Sequence, residues 1–220
     1  MVGKNNKTFD LQNHHWNEKL SSPDMFGVEP SETGRIALDI FQEQDVHEIL
    51  ELGGGQGRDT FLFAAADMNV HVLDYSENAV KAIDEKAYHL GMDDKVTTMQ
   101  FDLRQPIPFP DESFDACYAH MLLCMALTEE EIASLIHEIN RVLGPGRTFI
   151  YTVRNTDDPH FGTGTYFGES IYEIEGGFIV HFFDREKVER LAEGFEIISI
   201  EEFEESSLPK RLFRVVMRKE

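Results

Sequence analysis

Cysteine is nearly absent. Cys117 and Cys124 are the only two among 220 residues, too few for a disulfide framework or a four-thiolate metal site. Both stand in apolar surroundings that predict buried, reduced thiols. Basic residues are scarce as well: 20 Lys and Arg face 41 Asp and Glu, a formal charge of −21. Such a chain repels phosphate backbones, which argues against nucleic acid as a partner, and draws cationic ligands toward it. No run approaches the ~20 apolar residues of a membrane span. The richest stretch, 117–127, is short and broken by His120. The first residues, Met1 to Lys7, are polar and contain no apolar core of an export signal. No two histidines lie four apart with an acid between them, and His14-His15 is only a polar pair, so no metal is expected. What is there is an ordinary globular mix, 41% hydrophobic and 28% charged, with length for one large domain. The expectation is a soluble cytoplasmic protein without membrane partners.

Residues 1–30 read as a polar, irregular segment broken by Pro23, Gly27 and Pro30, with Trp16, Met25 and Phe26 as apolar anchors. From Ser31, an N-cap, the chain alternates between two periods. Short β-branched runs at 48–52, 70–74, 96–101, 114–119 and 147–153 are separated by helix-like segments at 57–66, 76–90 and 129–142. Strands joined through helices must run parallel, under helices on both faces. A helix at 184–193 then precedes runs at 195–203 and 211–218, whose connector is too short for a crossover. The expected fold is α/β: a Rossmann-like seven-stranded sheet with five parallel strands and a C-terminal antiparallel hairpin. Residues 31–220 form one domain, and residues 155–183 interrupt the alternation as an inserted segment with a hairpin turning at Glu175-Gly176-Gly177.

Glycines dominate the turn after the first strand: Glu51-Leu52-Gly53-Gly54-Gly55-Gln56-Gly57-Arg58-Asp59. Such a turn brings backbone against a ligand and leaves helix N–H groups to bind it. Dinucleotide folds want Gly-x-Gly-x-x-Gly, but Arg58 takes the place of the final glycine. A phosphate-binding loop would need a lysine that is missing. Asp74 ends the second strand, where a carboxylate can accept both ribose hydroxyls. Asp102 follows the third strand, where it could receive an adenine amine.

Together with Phe114 to His120 as strand four and the turn Arg141 to Gly146 before strand five, these motifs resemble the class I S-adenosylmethionine-dependent methyltransferases over roughly residues 31–218. Gly57-Arg58-Asp59, Trp16-Asn17 and Phe26 to Ser31 are most similar to the small-molecule branch containing tellurite-resistance-type and thiopurine-type enzymes. Gly54 departs from the frequent cysteine or serine, a change expected to matter little. The resemblance implies S-adenosylmethionine as cofactor. Gly53, Gly55 and Gly57 would pass under its methionine part, Glu51 would hold the ammonium and Asp74 the ribose, and Ser76, which begins the helix that follows, would be a further cofactor contact. Asp102 and Leu103 would take the adenine and Tyr75 its face, while Arg58 would reach the carboxylate and Asp59 would cap or buttress a helix.

The implied reaction is in-line methyl transfer to a small molecule. Three histidines are candidate bases: His120 at the end of strand four (equally a cofactor contact), His160 in the insertion and His181 on its hairpin. The insertion, with Arg154, Tyr166, Phe167, Tyr172 and Phe182, would close over the acceptor with Trp16 and Phe26. Read instead as a dimerisation surface, it would make a homodimer. The competing functional readings are a catalytically silent cofactor-binding sensor or partner subunit and, further off, a nicotinamide-dependent dehydrogenase.

Overall fold

Five strands, β1 (Glu48–Leu52), β2 (Asn69–Asp74), β3 (Val96–Gln100), β4 (Phe114–His120) and β5 (Leu143–Arg154), pair in parallel. Two more, β9 (Phe195–Glu205) and β10 (Lys210–Lys219), complete a seven-stranded sheet in the order β3-β2-β1-β4-β5-β10-β9. Only β10 runs antiparallel to its neighbours, as the short 205–210 connector requires. The computed structural model describes residues 12–22, 25, 27–205 and 210–220; Phe26 therefore lies outside the described residues.

The helices begin where local chemistry permits. Thr128 accepts the Glu131 N–H and the Glu131 carboxylate accepts the Thr128 N–H, a capping box that starts α5 (Glu129–Val142). Ser31 caps α2 (Glu32–Glu43), and Ser76 caps α4 (Glu77–Leu90), which stops at left-handed Gly91. Parallel strands need both faces covered, and alternate residues point to opposite sides. Leu50, Leu52, Phe149 and Tyr151 meet the α5 stripe of Ile132, Leu135, Ile136 and Ile139. Ile49, Val70, Val72 and Tyr118 meet Ala37, Phe41, Phe63 and Ile83 on the other side. Each such large apolar side chain contributes roughly 1.5–3 kcal/mol on full burial. Cys117 and Cys124 are free thiols inside this core.

Five elements depart from the sequence reading. Residues 12–19, read as irregular, form a helix, α1. The helix expected from residue 57 begins later, as α3 (Thr60–Ala65), because Gly57 is left-handed (φ +81°). The Gly144-Pro145-Gly146 turn is absorbed into β5, which starts directly at the C-cap of α5. The register with β4 shifts there between Phe114 and Ala116, a bulge that accommodates left-handed Gly146. Finally, the insertion holds three strands, not two: β6 (Thr165–Gly168), β7 (Ile171–Glu173) and β8 (Ile179–His181) form a separate antiparallel sheet. The predicted helix at 184–193 contracts to α6 (Arg185–Arg190), capped by Asp184.

Gly57 also fixes the packing of the turn. A Cβ there would stand 2.7 Å from Phe61 Cε2 and 3.1 Å from Ile83 Cγ1. Positive φ costs an alanine roughly 1–2 kcal/mol, and overpacking typically ~1–3 kcal/mol more. Gly57→Ala is therefore expected to lower the urea-unfolding free energy by about 2–5 kcal/mol. A loss under half a kcal/mol would contradict this packing.

Candidate active site

The strand ends at the carboxyl edge of the sheet surround a cavity of about 500 Å³. Its floor is the glycine turn from Gly53 to Gln56. Gly54 is squeezed: a Cβ would stand 2.5 Å from Val72 Cγ1. The cysteine or serine frequent in similar sequences would therefore displace Val72, so this departure matters more than the sequence suggested.

Among the buried carboxylates that line the cavity are Glu51 and Asp74. Glu51 accepts the Thr60 hydroxyl at 2.5 Å, and burial pushes its carboxyl up to about 8. Asp74 accepts the Gly55 N–H at 3.0 Å and the Ser76 N–H at 2.9 Å. Burial raises Asp74 to about 6 against those hydrogen bonds. Both groups sit where a bound cation or hydroxyl donor would stabilise the charged form.

A third carboxylate, Asp102, lines the cavity beside Leu103. Arg104 grips it, with Nε 3.0 Å from Oδ1 and Nη2 2.7 Å from Oδ2, which holds Asp102 below its ordinary range. An adenine amine would share this carboxylate with Arg104, a residue the sequence reading passed over. Tyr75 lines the same end and donates to the Gln12 carbonyl at 3.3 Å.

The roof is α1, whose Gln12, Asn13, Trp16 and Leu20 face the cavity. Asn17 Oδ1 accepts the Ser76 hydroxyl at 2.9 Å and the Asn78 N–H at 3.0 Å, and its carbonyl accepts from Asn78 Nδ2 at 2.8 Å. Gln56 Nε2 donates to the Ser22 carbonyl at 2.7 Å and its Oε1 accepts the Met25 N–H at 2.7 Å, tying the end of the roof to the glycine turn. On the far side, Gln12 bonds Gly177 and Ile179, and Trp16 packs on Phe178 with centroids 5.1 Å apart. No residue of 155–183 lines this cavity among those described. The insertion grips α1 from behind, while α1 and the 121–127 loop form the enclosure. Asn17→Ala removes the two hydrogen bonds accepted by Oδ1, each worth ~0.5–1.5 kcal/mol net, and keeps the one to the backbone carbonyl. It is expected to weaken cofactor binding about tenfold by calorimetry; unchanged affinity would mean that α1 is not part of the site.

At the opposite end, His120 closes β4. Arg58 Nη2 lies 2.9 Å from His120 Nε2 and 2.9 Å from Glu205 Oε1, and Thr152 Oγ1 lies 3.0 Å from His120 Nδ1. Arg58 only donates, so His120 Nε2 accepts, and the ring's proton sits on Nδ1 toward Thr152. The Arg58 guanidinium, which donates to Glu205 Oε1, holds that carboxyl below its ordinary range against burial. Arg58, expected to reach the cofactor carboxylate, is thus turned toward β9. Met121, Leu122 and Met125 add an apolar wall.

Of the other expected site residues, Asp59 also lines the cavity, whereas Gly57, Ser76, His160 and His181 do not. Gly57 is a packing glycine, and Ser76 is a cap that orients Asp74 through its N–H. Asp59 buttresses the start of α2, accepting the Ser31 N–H and hydroxyl, both at 2.7 Å, and the Tyr118 hydroxyl at 2.8 Å. It supplies no side-chain cap to α3. His160 lies against the buried Arg154–Asp158 pair, 2.7 Å from Arg154 Nη2. His181 is fully buried, bonded through Nδ1 to the Leu127 carbonyl at 2.8 Å and through Nε2 to Lys187 Nζ at 2.7 Å. Burial and the Lys187 ammonium lower it to about 4. Of the three candidate bases, only His120 reaches the cavity. Glu205 and Lys210, which line it from the terminal hairpin, went unrecognised in the sequence because nothing local marks them among the other charges of that tail.

Residues 49–146 match the family described as "Methyltransferase domain". A sterol 24-C-methyltransferase of Gibberella zeae is 36% identical over 114 residues, covering 50% of this chain and 28% of that protein. The chain thus spans little more than a quarter of that relative. Among solved structures, a SAM-dependent methyltransferase from Methanosarcina mazei superposes with a TM-score of 0.68 at 22% identity, covering 83% of this chain and 96% of that one. The N-methyltransferase NodS from Bradyrhizobium japonicum, in complex with S-adenosylhomocysteine, gives 0.69 at 13% identity, with 96% and 98% covered. At these identities the structural likeness establishes the fold. Residues 49–146 thus match a methyltransferase domain, and the chain shares the fold of these two methyltransferases.

Proposed function

We propose that this protein transfers a methyl group from S-adenosylmethionine to a small-molecule acceptor. The observation that carries this reading is the division of one cavity into two ends. Buried Glu51 and Asp74 flank the glycine turn at one end, and His120, Met121 and Met125 wall the other. The residues suit the cofactor: a carboxyl raised by burial, as that of Glu51 is, matches an ammonium partner. Glu51 would hold the amino group, Asp74 the ribose hydroxyls, and Leu103 with Asp102 the base. When bound, S-adenosylmethionine supplies an electrophilic sulfonium methyl that an acceptor lone pair displaces in line, with the neutral thioether leaving.

The chain's own task is placement and exclusion of water. Well-oriented reactants gain up to ~7–11 kcal/mol over free encounter. The α1 roof and the methionine-rich wall provide an enclosed setting for that. An acceptor that must lose a proton would find His120 Nε2 as a base once Arg58 releases it, a contribution of ~10²–10⁴-fold.

Turnover is the test. Cofactor labelled in its methyl group, incubated with the protein and a pool of small metabolites, is expected to pass the label to a low-molecular-weight product seen by mass spectrometry. Cofactor binding without label transfer from any pool would favour a silent sensor or partner subunit instead.

A further inference from the structure

Three cations line the cavity wall: Arg58, Arg104 and Lys210. Arg58 is engaged by Glu205 and His120, and Arg104 by Asp102. Among the described residues, the Lys210 ammonium alone of the three makes no side-chain hydrogen bond or ion pair within the protein. It opens β10 opposite Glu205, where β10 meets the carboxyl end of β5, on the methyl-acceptor side of the cavity. A partly buried ammonium without a partner is costly, and this one is disfavoured further by Arg154 and Arg58, with Glu205 opposing. Glu205 is already engaged by Arg58, so Lys210 is the excess charge.

The contrast with the rest of the molecule sharpens the point. The chain carries twice as many acids as bases, and the cofactor end of the cavity presents Glu51 and Asp74. The acceptor end, counted over Arg58, Lys210 and Glu205 with His120 neutral, is positive by one. Met121 and Met125 at that end, and Leu20, add apolar lining.

We propose that Lys210 is the counter-charge for an anionic group on the acceptor, making the substrate class organic anions with an apolar body and a carboxylate or phosphate head. The ligand's body would lie along the methionines and its head on the ammonium. In calling that ligand the acceptor, the proposal rests on the methyl-transfer reading.

Calorimetric titration of 2-naphthoate, 2-naphthyl phosphate and uncharged 2-naphthamide tests this, on the full chain with and without S-adenosylhomocysteine. At least one anion is expected to bind ten times tighter than the amide or more, and whichever wins identifies the head. Lys210→Gln and Lys210→Met should each bring that ratio to within twofold of unity, leaving S-adenosylhomocysteine affinity within twofold of wild type. Lys210→Arg should keep the preference. Equal or absent binding of all three ligands, or a preference surviving in Lys210→Gln, overturns the proposal. An anion preference without any S-adenosylhomocysteine binding would remove the cofactor reading and keep the anion site; cofactor binding without the preference would do the reverse.

Discussion

Asp74→Ala is expected to weaken S-adenosylhomocysteine binding by about 10²–10⁴-fold while the protein stays folded. Hydrogen bonds to a charged group are worth ~1.5–3 kcal/mol each. Two ribose hydroxyls on one carboxylate therefore carry about 3–6 kcal/mol, at ~1.4 kcal/mol per tenfold in affinity. The fold should survive because the free protein gains little from Asp74 at neutral pH. Burial has already raised its carboxyl to about 6, so the charged form is disfavoured in the folded state relative to the unfolded one. What the substitution removes locally is the pair of acceptors for the Gly55 and Ser76 N–H groups. Asp74→Asn keeps a carbonyl oxygen for one of them and should lie between wild type and Ala. Calorimetry alongside a thermal melt separates the two effects. Affinity within threefold of wild type in a folded Asp74→Ala protein would detach this residue from the ligand.

The second large effect is a proton linkage at Glu51. Burial raises this carboxyl from 4.5 to about 8 in the free protein, so most molecules at pH 7 hold it neutral. An ammonium partner requires the carboxylate, so cofactor binding must expel the proton. At pH 7 about 0.9 proton should be released, and affinity should climb roughly 50-fold between pH 6 and pH 8 before levelling. Above that the ligand's own amino group loses its charge and affinity turns down. Titrations at one pH in two buffers of different ionisation heat count the protons directly. Glu51→Gln should abolish the release and flatten the profile.

The same shift acts with opposite sign on the free fold. A carboxyl raised above its unfolded value stabilises while protonated, fully so below pH 4.5, and that contribution is lost as pH rises toward 8. The cofactor should therefore raise the melting temperature more at pH 8 than at pH 6. Equal shifts at both pH values, with no proton release, would mean that Glu51 does not meet a cation.

Much of this was legible because the signals are local. Thr128 with Glu131 marks the start of α5, and Ser76 with Gly91 brackets α4, each within one turn of the residues concerned. The short connector between the last two runs dictated their antiparallel pairing. Asp74 was legible because a carboxylate at the tip of the second parallel strand necessarily stands beside the turn after the first. The failures share a different character. Glu205 and Lys210 reach the cavity only through sheet order, because β10 inserts between β5 and β9 and begins at the ligand-facing edge.

His181 carries the right chemistry for a base, but Lys187 and the Leu127 carbonyl, distant along the chain or across a turn, claim both its nitrogens. The α1 roof owes its position to Asn17 meeting Ser76 and Asn78, about sixty residues apart. The Arg104 grip on Asp102, by contrast, lay two residues away and was readable.

The most direct test is a crystal structure of the protein grown with S-adenosylhomocysteine. The account predicts both ribose hydroxyls within hydrogen-bond distance of the Asp74 carboxylate, the amino group beside Glu51 and the thioether sulfur turned toward His120. A ligand seated elsewhere, or an Asp74 carboxylate still bonded only to Gly55 and Ser76 while the ligand occupies the cavity, would contradict it.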